Sequence, residues 1–277
     1  MTSLQLWLWC VAGAALGSVV TFWGLGGLWH WWYYRHRRAD AEQWKLQPKR
    51  WLSPALGKSA FRLGSFNIFF GSLVAGTFTW HVRQGGWSAL YTDLGQHGYV
   101  YLALSVVIYF LLVDAGLYYS HRLLHHRRLF RHIHRWHHRY VAPTVFTTTA
   151  MHPVEFAVFM AVLLIPVLII PVHVGVYLFI VGYSYLVGMI DHSGIKAPFA
   201  LPFHRNNHFH DDHHVYFHCN YGHHTQLFDR LHGTVRKIDR HYDEQTFHDG
   251  HDGHDGRDAH RAHDDKEAPH VGLPDVP

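Results

Sequence analysis

DAGLYYSHRLLHHRRLFRHIHRWHH, residues 114–138, is the stretch on which the fold turns. It closes an apolar run that begins near Tyr99 and passes at once into a dense set of imidazoles. His121 and His125 stand at i,i+4 and stack on one helix face. Followed backwards, Asp114, Tyr118, His121 and His125 fall on one side of the same helix. Asp114 sits inside or at the edge of an apolar span, where an ionisable group is costly and usually functional. Its natural role is to accept a hydrogen bond from Tyr118 or from the far nitrogen of a metal-bound imidazole. His134, His137 and His138 follow at i, i+3 and i+4. Two of the three share a face, and the third can reach a neighbouring ion. His210, His213 and His214 repeat that spacing, with Asp211 and Asp212 between them to orient imidazoles.

Working outward, each cluster lies beside a membrane-length apolar segment. Leu4 to about Leu28 is apolar and is followed by a Trp-rich stretch through Tyr34. It lacks a basic leader, so a retained span is expected rather than a cleaved signal. A short second span is expected from about Leu63 to Trp80, with Gly71 and Gly76 inside it, and a third from about Tyr99 to Tyr119. The block Val154–Ile190 is interrupted by Pro166 and Pro171. It is too long for one span and fits a tight two-helix hairpin. Lys and Arg crowd the loops at 35–58 and 121–150 and avoid the loop at 81–98. The positive-inside rule then puts the N-terminus outside and all three histidine clusters in the cytosol. The expected fold is an all-α integral membrane protein of about four transmembrane helices, the last two a hairpin, capped by a cytosolic His-rich helical domain. Expected boundaries are 1–62 for the N-terminal helix and its basic loop, 63–238 for the catalytic domain, and 239–277 for a disordered His/Asp/Gly-rich tail.

The bulk numbers agree. Of 277 residues 16% are aromatic and 11 are Trp, as interfacial belts require. There are 30 His, too many to sit in the tail alone. Six Arg between Arg122 and Arg139 alternate with His at the end of an apolar helix. That arrangement reads as a cytosolic membrane flank, not a nucleic-acid patch. The two cysteines, Cys10 and Cys219, suggest no disulfide framework.

Eight or nine neutral nitrogens, His192 in Asp191-His192-Ser193-Gly194 being the ninth, suit two ions with open positions better than a closed structural zinc. No His-Glu-x-x-His motif for zinc hydrolysis occurs. His152 is expected at a helix start or beside a ligand. His126, His132, His208, His223 and His224 are expected to be structural.

These residues resemble the membrane fatty acid hydroxylase/sterol desaturase superfamily over roughly Asp114 to Arg236. The resemblance is carried by Asp114-x-x-x-Tyr118-x-x-His121-Arg122-x-x-His125, His134-x-x-His137-His138, His152-Pro153-x-Glu155, His210-x-x-His213-His214, Asn220-Tyr221-Gly222 and Asp229-Arg230-Leu231-x-Gly233-Thr234. The stretches after His137 and His213 look most like the sterol C-5 desaturase branch. Glu155 departs from it, where Asp is usual, as does the short run between His192 and His210. The resemblance implies a non-haem di-iron site held by His121, His125, His134, His137, His138, His210, His213 and His214, with His192. It also implies O2 as co-substrate and a lipid, a sterol or a relative of one, as substrate. The electron donor would be a separate carrier such as cytochrome b5 or a ferredoxin with its reductase, since no flavin or nicotinamide fingerprint is present. The membrane would be the endoplasmic reticulum in a eukaryote and the inner membrane in a bacterium. An alkylglycerol monooxygenase or fatty acid hydroxylase of the same superfamily is the alternative. A membrane metal transporter or buffer is the non-enzyme alternative, although transporters usually hold their ligands at mid-membrane.

Overall fold

The structure is a computed structural model that describes residues 1–197 and 207–237. The tail expected at 239–277 lies outside the described residues, as does most of the short run before His210. The described chain is mostly helical.

A continuous helix Ser3–His36 opens the chain. Thr2 and Gln5 cap its start reciprocally, the Thr2 hydroxyl accepting from Gln5 N–H and the Gln5 side chain from Thr2 N–H. It contains two π-helical stretches, Val20–Leu25 and His30–His36. The expected end near Leu28 is therefore passed by two turns. The Trp-Trp-Tyr-Tyr run reads as an interfacial flank, yet it continues the helix because Tyr34 is buried against the body of the protein. The next long helix, Pro54–Arg83, starts at Pro54 with Ser53 as its cap. The boundary expected at 62/63 falls inside this helix. At Gly76 an added Cβ would collide with the Val11 backbone, so this glycine sets how closely the first two helices approach.

Helix Tyr99–Leu124 carries the first histidine pair. After the histidine-rich segment 127–138 and an irregular stretch, helix Pro153–Leu164 begins at Pro153, capped by His152 Nδ1 accepting from Val154 N–H. His152 thus takes its helix-start role. A break at Ile165 precedes the single turn Pro166–Ile169, because Pro166 brings no N–H to continue the ladder. Helix Val174–Asp191 returns the chain. The chain turns back as expected, but its two legs, 153–169 and 174–191, pack mainly on helix Tyr99–Leu124 and not tightly on each other. Among the described residues three helices are long and apolar enough to cross a membrane: Ser3–His36, Tyr99–Leu124 and Val174–Asp191. The helix that contains 63–80 and the leg 153–169 are not among them.

Two facts orient the bundle. The strands Leu90–Tyr91 and Val172–His173 pair in parallel and bring the 81–98 loop to the hairpin apex. The Trp80 indole and Gln84 amide donate to Ser3 Oγ at that same end. At the opposite end, Tyr34 Oη lies 2.9 Å from Pro143 O and 2.7 Å from Ser193 O, tying the end of the first helix to the histidine segments. All three basic or histidine-rich segments therefore share one end of the bundle. Between the ends, Tyr109, Val113, Leu117, Val167, Val172 and Ile180 form the apolar core under the site.

Candidate metal centre

The nine histidines converge in two groups. His121, His125, His134, His138 and His213 form the first, and His137, His192, His210 and His214 the second. Within each group one nitrogen from every ring lies within 4.8 Å of the others, and all nine side chains are buried. His121 and His125 stay together in the first group, whereas the second and third sequence clusters are each divided between the groups. His134 and His138 share a face one turn apart and join the first, while His137 turns to the second. His213 goes to the first group, and His210 and His214, also one turn apart, go to the second.

The proton positions follow from the outer partners. His121 Nδ1 lies 2.8 Å from Tyr221 O, His213 Nδ1 2.7 Å from Cys219 O, and His192 Nδ1 2.7 Å from Gly188 O. His137 Nδ1 faces Ala150 O at 3.4 Å. A carbonyl only accepts, so each Nδ1 carries the hydrogen and each neutral ring is left with an Nε2 lone pair pointing inward. In the one contact whose two rings are both set by carbonyls, that of His137 with His192, the lone pairs face each other. His137 and His192 Nε2 are 3.0 Å apart, as are His138 and His213 Nε2. His192 and His210 Nε2 are 2.9 Å apart, and His121 and His134 Nε2 3.1 Å. Facing lone pairs repel unless a cation lies between them. Two donors about 2.1 Å from one ion are ~3.0 Å apart at a right angle and ~3.4 Å apart at the tetrahedral angle. The observed separations are of the size that donors sharing one ion require.

Burial keeps the donors available. It lowers the imidazoles of His125, His134, His138 and His214 well below their ordinary value, and neighbouring histidines lower them further. Burial lowers His137 to about 4. All five rings are therefore free bases at neutral pH, the form that binds metal.

The outer partners also show what sequence reading missed. Glu155 Oε1 lies 2.7 Å from His134 Nδ1, in a fully buried pair. This is the carboxylate-on-imidazole arrangement expected of Asp114. Asp114 instead accepts from the Thr225 hydroxyl and from the N–H groups of His224 and Thr225, bracing the turn after Gly222. The Tyr118 hydroxyl, expected to meet Asp114, lies 3.0 Å from Thr234 Oγ1. Asp211 accepts from the Gln47 amide at 2.9 Å, which ties the third cluster to the N-terminal loop. Asp229 was quoted only as part of a motif, yet it holds the Tyr221 and Gly222 N–H groups at 2.9 and 2.7 Å. It thereby fixes the Tyr221 carbonyl that receives His121. Position 222 must be glycine, because a Cβ would stand 2.7 Å from Asp229 Oδ2. The Cys219 carbonyl is aimed by a strained turn, with Phe217 and Asn220 at φ 63° and 59°. A cue existed for Glu155: an acidic residue two positions inside a Pro-initiated apolar helix is as costly as Asp114 and calls for a partner.

Comparison with known proteins places the same region. Residues 106–234 match the fatty acid hydroxylase family. Lathosterol oxidase of Rattus norvegicus is 35% identical over 158 residues, covering 54% of this chain and 52% of its own length. A Delta(7)-sterol 5(6)-desaturase of Gibberella zeae is 31% identical over 153 residues, covering 54% of this chain and 47% of its own. That of Saccharomyces cerevisiae is 33% identical over 167 residues, covering 59% and 45%. The chain spans about half the length of the curated relatives it matches. No solved structure matches. The resemblance read from the motifs is borne out over this region.

Proposed function

We propose that this chain, through the region that matches the fatty acid hydroxylase family, is an O2-dependent membrane oxidoreductase that desaturates or hydroxylates an unactivated C–H bond of a sterol or related lipid. The observation that carries the reading is the pair of buried imidazole groups with their lone pairs turned inward. His121, His125, His134, His138 and His213 would hold one iron ion, and His137, His192, His210 and His214 the second. Bound there, iron would supply the redox chemistry that O2 needs to attack a C–H bond.

The protein's own part is positioning and exclusion. The carbonyls of Tyr221, Cys219 and Gly188 hold protons on the outer nitrogens, so that the inner nitrogens stay unprotonated and fixed in direction. Glu155 Oε1 meets the outer nitrogen of His134 in the same way. The apolar core around Tyr109 and Val113 separates the site from the far end of the bundle and keeps water out from below. Relatives named as sterol desaturases point to a sterol-like substrate.

We assign the histidine end to the cytosol, because the loops at 35–58 and 121–150 that gather there hold most of the Lys and Arg of the described residues. Helices 54–83 and 153–169 then complete the membrane bundle beside the three apolar spans. Electrons would enter over the exposed Arg122, Arg127, Arg128 and Arg131, a surface suited to an acidic carrier such as cytochrome b5 or a ferredoxin. Beneath that surface the buried Phe130 ring lies 5.4 Å from His125 and 5.5 Å from His138, centroid to centroid.

The test is to purify the chain in detergent, measure its metal, and follow oxygen uptake with a reductant and a Δ7-sterol. Iron together with sterol-dependent oxygen uptake is expected. A chain that carries only zinc and consumes no oxygen with any lipid overturns the reading.

A further inference from the structure

Away from the metal centre, a cavity of 470 Å³ opens between the last turns of helix 3–36 and the first turns of helix 54–83. Its wall carries four cations, Arg35, Arg38, Lys58 and Arg62, with Trp51 and Phe61 beside them. No carboxylate lines it, and among the described residues none of the four cations is in an ion pair. Arg38 is already held in place, its guanidinium 4.3 Å from the centroid of the Trp51 ring. The start of the 30-residue helix 54–83 faces the same space through Ser53, Pro54 and Gly57, and its dipole adds positive potential. Four like charges around one concavity repel, and a shared anion relieves them.

The cavity is also two-faced. Below the cations its wall is Phe61 and Phe146, and the outer surface of helix 54–83 continues downwards through Phe66, Phe69 and Leu73, which are 56%, 48% and 44% exposed. An apolar strip leading out of a cationic cup at the bundle end that carries the basic loops matches a lipid, with its headgroup above and acyl chain below. We propose that this cavity binds the phosphate headgroup of an anionic membrane phospholipid. The proposal rests on the membrane reading of the helices and not on the oxygenase reading.

The full chain in detergent, mixed with phosphatidylglycerol and examined by native mass spectrometry, tests this. The wild type should retain a phosphatidylglycerol that phosphatidylcholine does not replace. Arg38→Glu combined with Lys58→Glu and Arg62→Glu should weaken retention at least about tenfold. Arg127→Glu with Arg128→Glu and Arg131→Glu makes the same change of charge outside the cavity and should alter retention less than about twofold. Gly57→Phe fills the cavity without changing charge or breaking the helix, since a Cβ there meets nothing within 4 Å. It should also lower retention. Equal losses in both charge triples would reduce the effect to surface charge and overturn the site, as would full retention in Gly57→Phe. Displacement by millimolar inorganic phosphate alone would overturn the lipid as the occupant.

Discussion

The two imidazole groups share the second and third clusters, but the first adds His121 and His125 and the second adds His192, and they are held differently. The first has five histidines, and one of them, His134, leans on a buried carboxylate 2.7 Å away. The second has four, and the outer acceptors of His137 and His192 are backbone carbonyls. A carboxylate behind an imidazole raises its basicity more than a carbonyl does. The first group should therefore bind its ion more tightly, while the second, one donor poorer, leaves more positions open for small molecules.

Removing a ligand from each group is the strongest way to break this comparison. His134→Ala and His192→Ala should each abolish lipid-dependent oxygen uptake and release about half of the iron, read by elemental analysis on membrane-inserted protein. If either variant keeps full iron, that histidine is not a ligand.

Glu155→Gln keeps the shape of its side chain and replaces the carboxyl group by an amide. Iron affinity of the first group should fall about 10- to 100-fold. Chelator titration should empty the second group first in the wild type and show the two groups releasing together in the variant. An unchanged order of release would place the asymmetry elsewhere.

Acid probes what the groups share. His137 titrates near 6.5 when unfolded and at about 4 when folded. Between those values the unfolded chain holds a proton that the folded chain does not, so stability rises with pH through this window. Chelator-stripped protein should lose about 3 kcal/mol from His137 alone as pH falls from 6.5 to 4. Unfolding that is flat with pH over that range would mean that the rings are hydrated.

Tyr34→Phe gives the smallest effect. It removes the hydroxyl that meets Pro143 O and Ser193 O, beside the second group. A loss of about 1 kcal/mol in thermal stability is expected, with the second group's iron becoming the more labile.

The convergence of the histidines was readable in outline because imidazoles at one-turn spacing announce a shared face, and His192 was readable from its place at the end of a span. The allocation of neighbours was not. His137 and His138 adjoin in sequence, yet they serve different groups, because their targets arrive on segments that only packing brings near. Glu155 was hidden for the same reason, its partner His134 being 21 residues away. The hairpin was legible from Pro166 and Pro171, whose missing N–H groups forbid an unbroken helix. The length of the first helix was not, since aromatic residues serve an interface and a buried helix end equally well.

His138 and His213 meet although they are 75 positions apart in the chain. An ion shared by such a pair is a removable cross-link that closes a long loop, and a covalent link of that span restricts the unfolded chain by about 4 kcal/mol. The nine-residue helix His208–Tyr216 buries one large apolar side chain, Phe209, and is otherwise secured by polar contacts of Asp211 with Gln47 and of Asp212 with Arg236. On the proposed function, iron supply would govern how much of the chain is assembled as well as how fast it works: in starved cells this helix should loosen and become open to proteolysis before the membrane bundle does.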